Sequence, residues 1–169
     1  MNVPEAILTR RSIRKYTDAP VTDEQINTIL EAAMMAPSAG NQQPWQFIVV
    51  RNKEIQGKLK DINPYAAMSD KAPVGILVCG DLSLEKHAGF WVQDCSAAIQ
   101  NILLTVHDLG LGAVWTGIHP LKDREEGFNQ LFKLPEHVIP LGYIVIGQPD
   151  QHPTTVSRYK VDRVHQETW

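Results

Sequence analysis

The longest apolar segment of the chain most constrains how it can fold. The segment from His87 to Gly112, "HAGFWVQDCSAAIQNILLTVHDLGLG", contains no proline, and Gly110 lies where a helix C-cap belongs. We predict a helix of about 22 residues there, which is long for a globular domain. Its apolar residues run from Phe90 to Leu109 and cover more than one face. One face can pack on a sheet, and the other needs a further cover. A homodimer built around this helix is one answer, and a fully central helix in a monomer is the alternative.

The rest of the pattern predicts shorter helices and strands along one domain. Four apolar runs, "QFIVVR", "VGILVCG", "AVWTG" and "LGYIVIG", are predicted as strands. Helices are predicted to begin at Pro4, after Thr22 and after Asn52, and Thr22 and Gln25 have the spacing of a capping box. The stretch "KDREEGFNQLF" is predicted as a surface helix. No repeat or linker divides the 169 residues, so residues 1–169 are expected to form a single domain.

Composition excludes several classes of protein. Hydrophobic residues make up 43% of the chain and charged residues 21%, which indicates a folded core rather than disorder. The net charge of −3 gives no electrostatic case for binding nucleic acid or an anionic membrane. No apolar run approaches the roughly 20 residues of a spanning helix, and the N-terminus lacks the features of a signal peptide. We therefore expect a cytoplasmic protein whose two cysteines, Cys79 and Cys95, are small core residues. No histidine pair or Cys/His cluster has the spacing of metal ligands, so no metal is predicted.

Four positive charges stand close together in the stretch "RRSIRKY". Arg10, Arg11, Arg14 and Lys15 lie within six residues of a chain that is acidic overall. A solvated basic face at a helix end is one interpretation, because cations complement the helix macrodipole there. The other is a phosphate clamp, in which planar guanidinium groups donate paired hydrogen bonds and Ser12 adds a hydroxyl.

A neutral, amide-rich segment follows the second predicted helix. We call residues 36–45, "APSAGNQQPW", the amide loop. Pro37 ends the helix, and Asn41, Gln42 and Gln43 supply uncharged donors and acceptors. A flavin has a ring edge of carbonyls and ring nitrogens that needs such partners, together with a sugar-like ribityl chain. Combined with a clamp for one phosphate, the loop favours FMN over a dinucleotide, since the chain lacks the G-x-G-x-x-G fingerprint.

These motifs follow one another in a familiar order. The stretches "RRSIRKY", "APSAGNQQPWQFIVV", "DCSAAIQNILLTVHDLGLGAVWTG" and "IPLGYIVIGQP" resemble the nitroreductase family of FMN-dependent oxidoreductases, in a compact version. The resemblance extends from about Ile7 to Trp169. It implies an α+β fold with a mixed β-sheet flanked by helices, and an intertwined homodimer with two FMN sites at its interface.

The resemblance also assigns residues to the cofactor. It implies that Arg10, Ser12 and Arg14 of one subunit hold the phosphate and ribityl chain, with Arg11 contributing nearby. The residues that line the flavin from the partner subunit would be Pro37, Ser38, Ala39, Asn41 and Gln43. Thr116 and Gly117 match a strand-end pair whose glycine amide points at flavin N5. A backbone donor there orients the ring and tunes its electronics, and glycine allows close approach.

The C-terminal stretch departs from the family pattern. Members often carry a Lys-x-Arg pair that reaches the phosphate, but Val156 stands in the lysine position, so only Arg158 is carried over. The apolar residues Tyr159, Val164 and Trp169 favour an arm over the partner subunit for residues from about 150 to 169. A frayed terminus is the alternative.

The function implied by the resemblance is redox catalysis. A hydride would pass from NADH or NADPH to FMN, and two electrons would then pass to an acceptor such as a nitroaromatic or quinone, in a ping-pong cycle. No side-chain nucleophile is expected, because the flavin carries the chemistry. Two alternatives remain: another flavin reaction, such as enone reduction, dehalogenation or flavin fragmentation, and a non-catalytic FMN storage protein. The short segment between Asp61 and Ala72, in which Tyr65 is a candidate to cover the ring, favours a broad-acceptor reductase. His119 is a candidate to border the substrate pocket, and a satisfied surface or core histidine is the alternative.

Overall fold

The computed structural model describes all 169 residues and confirms the predicted helices and strands. The helices are α1 (Val3–Thr9), α2 (Asp23–Met34), α3 (Lys53–Ile62), α4 (Trp91–Asp108) and α5 (Lys122–Phe132). The strands are β1 (Trp45–Val50), β2 (Val74–Asp81), β3 (Gly112–Gly117) and β4 (Val138–Gly147). A 3₁₀ segment, Pro64–Lys71, joins α3 to β2.

Side-chain caps set where two of the helices begin. The Thr22 hydroxyl accepts from the backbone N–H of Gln25, and the Gln25 side chain accepts from the backbone N–H of Thr22. Asn52 caps α3 by accepting from the first free N–H groups of that helix. The long helix α4 has 18 residues rather than about 22. It begins late because Gly89 takes a φ of +87°, which a right-handed helix does not allow.

The four strands form one sheet in the order β1-β2-β4-β3, and every neighbouring pair is antiparallel. The α+β fold class is thus confirmed, but the mixed character of the sheet is limited to one parallel bridge between Ser12 and Ala113. Through this bridge the N-terminal segment lies beside the first residues of β3, on the edge opposite β4.

Each face of the sheet carries its own hydrophobic cluster. Helices α2 and α4 cover one face, where Ile29, Ile99 and Ile102 pack with Ile76 and Ile144 of the central strands. The other face is covered by α3, α5 and the 3₁₀ segment, whose buried side chains are Leu59, Phe128 and Ala66. All eight residues of β2 are buried. Burial on both faces explains why the central strands are continuously apolar.

The C-terminal segment lies outside these two clusters. Residues 152–169 are exposed and contain one 3₁₀ turn, Val161–Arg163. Tyr159 is 75% exposed and Trp169 fully exposed, so these aromatic side chains find no cover within their own chain. None of the helices is both long and apolar enough to span a bilayer.

Candidate cofactor-binding site

An unneutralised cluster of arginines lies at the N-terminal segment. Burial, and then the positive charges of Arg158 and Arg11, lower the pKa of Arg10. None of the five ion pairs in the chain involves these three arginines. Arg10 and Arg11 line a cleft of about 370 Å³ together with His107 and Gln151. The cluster is electrostatically costly by itself, and an anion in the cleft would relieve it.

The two other arginines of this segment, Arg11 and Arg14, make different contacts. The Arg11 guanidinium donates to the backbone oxygens of Leu8 (3.0 Å) and Arg10 (2.6 Å), and also to Thr154 O (3.3 Å) in the C-terminal segment. Arg11 thus ties the end of α1 to the tail. The Arg14 backbone N–H donates to Gln151 Oε1 at 3.0 Å, and Arg14 lines a second cleft of about 590 Å³. The structure therefore places Arg10 and Arg11 on one cleft, within electrostatic reach of Arg158, and places Arg14 on a different cleft.

A buried carboxylate holds the amide loop in place. Asp94 of α4 accepts from Ala39 N (2.9 Å) through one oxygen and from Gln42 Nε2 (2.6 Å) through the other. Gln42 is buried, and its Oε1 accepts from the backbone N–H groups of Lys86 and His87. Gln42 and Asp94 were missed as site residues. Their pairing joins positions 52 apart in the chain, so no local sequence signal could reveal it.

The predicted loop residues remain available on the outer side of this network. Gln43 Nε2 donates to Asn41 Oδ1 at 3.2 Å, and Ser38 Oγ accepts from Gln43 N at 3.0 Å. Gly40, Asn41 and Gln43 all have φ near +50°, a left-handed conformation that glycine and asparagine tolerate best. Together with Pro37 and Ala39, these residues form a turn that presents small side chains and amides.

The end of β3 presents an open backbone edge. Ile13 N donates to Ala113 O, so the backbone N–H and C=O of Ala113 point away from β4. Hydrogen-bonding direction alternates along a strand, so the backbone groups of Trp115 and Gly117 point the same way. A Cβ added at Gly117 would meet no atom within 4 Å. The fold itself therefore does not require glycine at this position, whereas close approach by a ligand would. Thr116 is buried, and its hydroxyl donates to Tyr143 O at 2.9 Å.

Two further residues fix the carbonyl of this glycine. Asn63 Nδ2 donates to Gly117 O at 3.2 Å, and Arg124 Nη1 donates to the same oxygen at 2.8 Å. The Arg124 guanidinium also lies over the ring of Tyr65, 5.3 Å from its centroid. Tyr65 is 70% exposed. Asn63 and Arg124 were not predicted, because their reach depends on how the 3₁₀ segment and α5 meet at β3.

His119, just beyond β3, is oriented by a buried carboxylate. His119 Nδ1 lies 2.6 Å from Glu125 Oε1, and Lys122 Nζ donates to the other carboxylate oxygen at 2.8 Å. Burial would raise the pKa of Glu125, but the hydrogen bonds from Lys122 and His119 outweigh burial and hold this pKa below its usual range. The His119 ring packs edge-on against Trp91, with centroids 4.9 Å apart.

The two cysteines lie in the core, as predicted. Both thiols are free and buried. Burial raises the pKa of Cys79 to about 12 and raises that of Cys95 as well, so neither thiol is a nucleophile near neutral pH. No group of three or more His, Cys, Asp or Glu residues is arranged to hold a metal ion.

Comparison with known proteins gives a consistent result. The sequence model of the nitroreductase family matches two overlapping segments of this chain, residues 7–69 and 63–148. A protein of Methanothermobacter thermautotrophicus, provisionally named an NADH dehydrogenase/NAD(P)H nitroreductase, is 58% identical over 169 residues, covering all of this chain and 88% of its own. A crystal structure with the same provisional name from Parabacteroides distasonis superimposes with a TM-score of 0.94 at 40% identity, covering 98% of both chains.

A solved complex extends this likeness to a cofactor. The crystal structure, provisionally named a nitroreductase, comes from Desulfovibrio desulfuricans and contains FMN. It superimposes with a TM-score of 0.87 at 33% identity, covering 100% of this chain and 98% of its own. Sequence and fold agree, and the chain belongs to the nitroreductase family.

Proposed function

We propose that this protein is an FMN-dependent oxidoreductase that passes a hydride from NADH or NADPH through FMN to a nitroaromatic or quinone acceptor. The observation that carries the proposal is the unneutralised group formed by Arg10, Arg11 and Arg158. A phosphate dianion supplies the missing negative charge and accepts paired hydrogen bonds from guanidinium groups. Family membership and the FMN held by a similar structure support the same cofactor.

The residues present fit FMN at both ends of the molecule. Arg10 and Arg158 would hold the phosphate, and Ser12 and Arg14 would lie along the ribityl chain. The empty space at Gly117 and its outward N–H suit a flavin ring that approaches the edge of β3 closely. Bound FMN would supply the hydride chemistry, while Gly117 would orient the ring.

The proposed assembly is a homodimer of single-domain subunits in the cytoplasm. The amide loop of one subunit, through Pro37, Ser38, Ala39, Asn41 and Gln43, would line the flavin held by the other. The exposed apolar residues of the tail support an arm that packs on the partner. Arg11 supports this arrangement by tying the start of the arm to α1.

Anaerobic reduction tests the proposed function directly. Purified protein is expected to contain about one FMN per chain, and the flavin should bleach when NADH or NADPH is added and recover its colour with a quinone. A flavin that stays yellow with both nicotinamides would identify a storage protein instead. A protein that binds no flavin would refute the proposal.

The phosphate assignment is tested by comparing two ligands. Arg10→Gln removes a charged donor, which should cost about 1.5–3 kcal/mol, or roughly 10- to 150-fold in FMN affinity. Riboflavin, which lacks the phosphate, should lose little affinity. Lys58→Gln, at an exposed position of α3 outside the cleft, also removes one positive charge and should leave both affinities unchanged. Equal losses for FMN and riboflavin with Arg10→Gln would contradict the assignment.

A further inference from the structure

We infer that His119, oriented by Glu125, donates the second proton to a quinone acceptor. This inference rests on the proposed function and names the substrate class and the proton donor for the same site. His119 shares a cleft of about 490 Å³ with Gly117, the residue proposed to contact the flavin ring. The proposed proton donor, His119, and the proposed cofactor contact, Gly117, therefore line the same cleft.

The hydrogen bonds of His119 leave one ring nitrogen for a ligand. Its Nδ1 is committed to Glu125 Oε1 at 2.6 Å, and Nε2 has no hydrogen-bond partner within the chain. Glu125 is only 5% exposed, so the carboxylate that holds the ring cannot rotate freely into solvent. A carboxylate that accepts from Nδ1–H fixes the orientation of the imidazole ring. The arrangement directs the transferable proton to Nε2.

The walls of the cleft favour a planar, largely apolar acceptor. Val92, Trp115, Pro120 and Leu141 provide apolar surface, and Ser96 is the other polar side chain besides His119. Trp91 also packs edge-on against the histidine ring. A quinone matches these walls with its flat ring and presents a carbonyl oxygen to the one proton donor.

The proposed step balances in protons and electrons. A quinone that receives a hydride gains two electrons and one proton and becomes a hydroquinone monoanion. The Nε2–H bond of the His119 imidazolium then breaks as an O–H bond forms on the anionic oxygen. The products are neutral hydroquinone and neutral imidazole, and the imidazole recovers its proton from water.

Stopped-flow experiments on the FMN-loaded enzyme separate this step from the others. His119→Gln keeps a donor of similar size but cannot release a proton. Flavin reduction by NADPH should be unchanged, while reoxidation by a water-soluble naphthoquinone should slow by about 100-fold or more. Reoxidation by ferricyanide, which takes electrons without protons, should proceed at the wild-type rate. Added imidazole should restore quinone reduction in His119→Ala.

The controls distinguish this inference from the proposed function. His137→Gln changes a histidine that lies 3.9 Å from Asp81 and outside the cleft, and it should leave all rates unchanged. Failure of wild-type flavin to be reduced by nicotinamide would refute the proposed function. Normal reduction followed by unchanged quinone turnover in His119→Gln would refute the role of His119 alone. So would an equal slowing with ferricyanide, which would mark a structural defect.

A measurement on the wild-type protein needs no variant. In nitrogen NMR of the FMN-loaded protein, a redox-inert naphthol should shift the Nε2 resonance of His119. The Nδ1 proton should remain at the low field expected for a short bond to a carboxylate. An Nε2 resonance that does not respond to saturating naphthol would overturn the inference, even if the histidine variants failed to fold.

Discussion

Replacement of Asp94 by asparagine tests how the amide loop is held. The carboxylate accepts from Ala39 N and from Gln42 Nε2, and asparagine can accept only one of these bonds while its own amide hydrogens face the other donor. Hydrogen bonds to a charged group contribute about 1.5–3 kcal/mol each, and Asp94 is only 5% exposed. We expect Asp94→Asn to lower the free energy of unfolding by about 2–4 kcal/mol.

Urea unfolding followed by circular dichroism measures this loss, at one protein concentration because a dimer's stability depends on concentration. The melting temperature should fall by about 4–16 °C for a chain of this size. Asp61→Asn, at an exposed position of α3, should change stability by less than about 0.5 kcal/mol. An Asp94→Asn protein as stable as the Asp61→Asn control would show that the carboxylate does not hold the loop.

Two further predictions concern pH and backbone conformation. Burial, and then Arg10, lower the pKa of His107 below 6.5, so the unfolded chain binds this proton more readily, and stability should fall as the pH drops through 6.5. Urea midpoints at about pH 5.5 and about pH 7.5 should differ less in His107→Gln than in wild type, and an equal difference would contradict the assignment. Gly40 has a φ of +53°, and an added Cβ would lie 2.5 Å from His87 Nε2, so Gly40→Ala should cost about 1–3 kcal/mol in thermal unfolding. Gly57→Ala is the matched control: it fills open space in α3 and should stabilise by about 0.5–1 kcal/mol, and like signs for the two alanines would refute the reasoning.

The elements of the fold could be predicted because their signals are local. The capping pair of Thr22 and Gln25 is three residues apart, and the four strands are continuous apolar runs. The predicted length of α4 is too great because the apolar pattern does not reveal where the helix starts. The left-handed conformation of Gly89 excludes this residue from the helix, which begins at Trp91. Periodicity alone does not report such a backbone angle.

The candidate site was predictable only where its residues are neighbours in sequence. Arg10, Arg11 and Arg14 look alike in the stretch "RRSIRKY", yet Arg11 is used to bind carbonyl oxygens and Arg14 lines a separate cleft. Within the amide loop, Gln42 turns inward to Asp94 while its neighbours turn outward. These differences depend on tertiary contacts, so adjacent residues of one chemical type can take different roles.

The open edge of β3 has a consequence for the tendency of the protein to aggregate. The bridge from Ile13 pairs the strand only as far as Ala113, and Trp115, 37% exposed, stands on the edge beyond it, which has no neighbouring strand. An unpaired edge next to an apolar side chain is a template for adding a foreign strand. FMN bound at the proposed site would cover this edge. Protein prepared without FMN is then expected to aggregate more readily than the FMN-loaded protein.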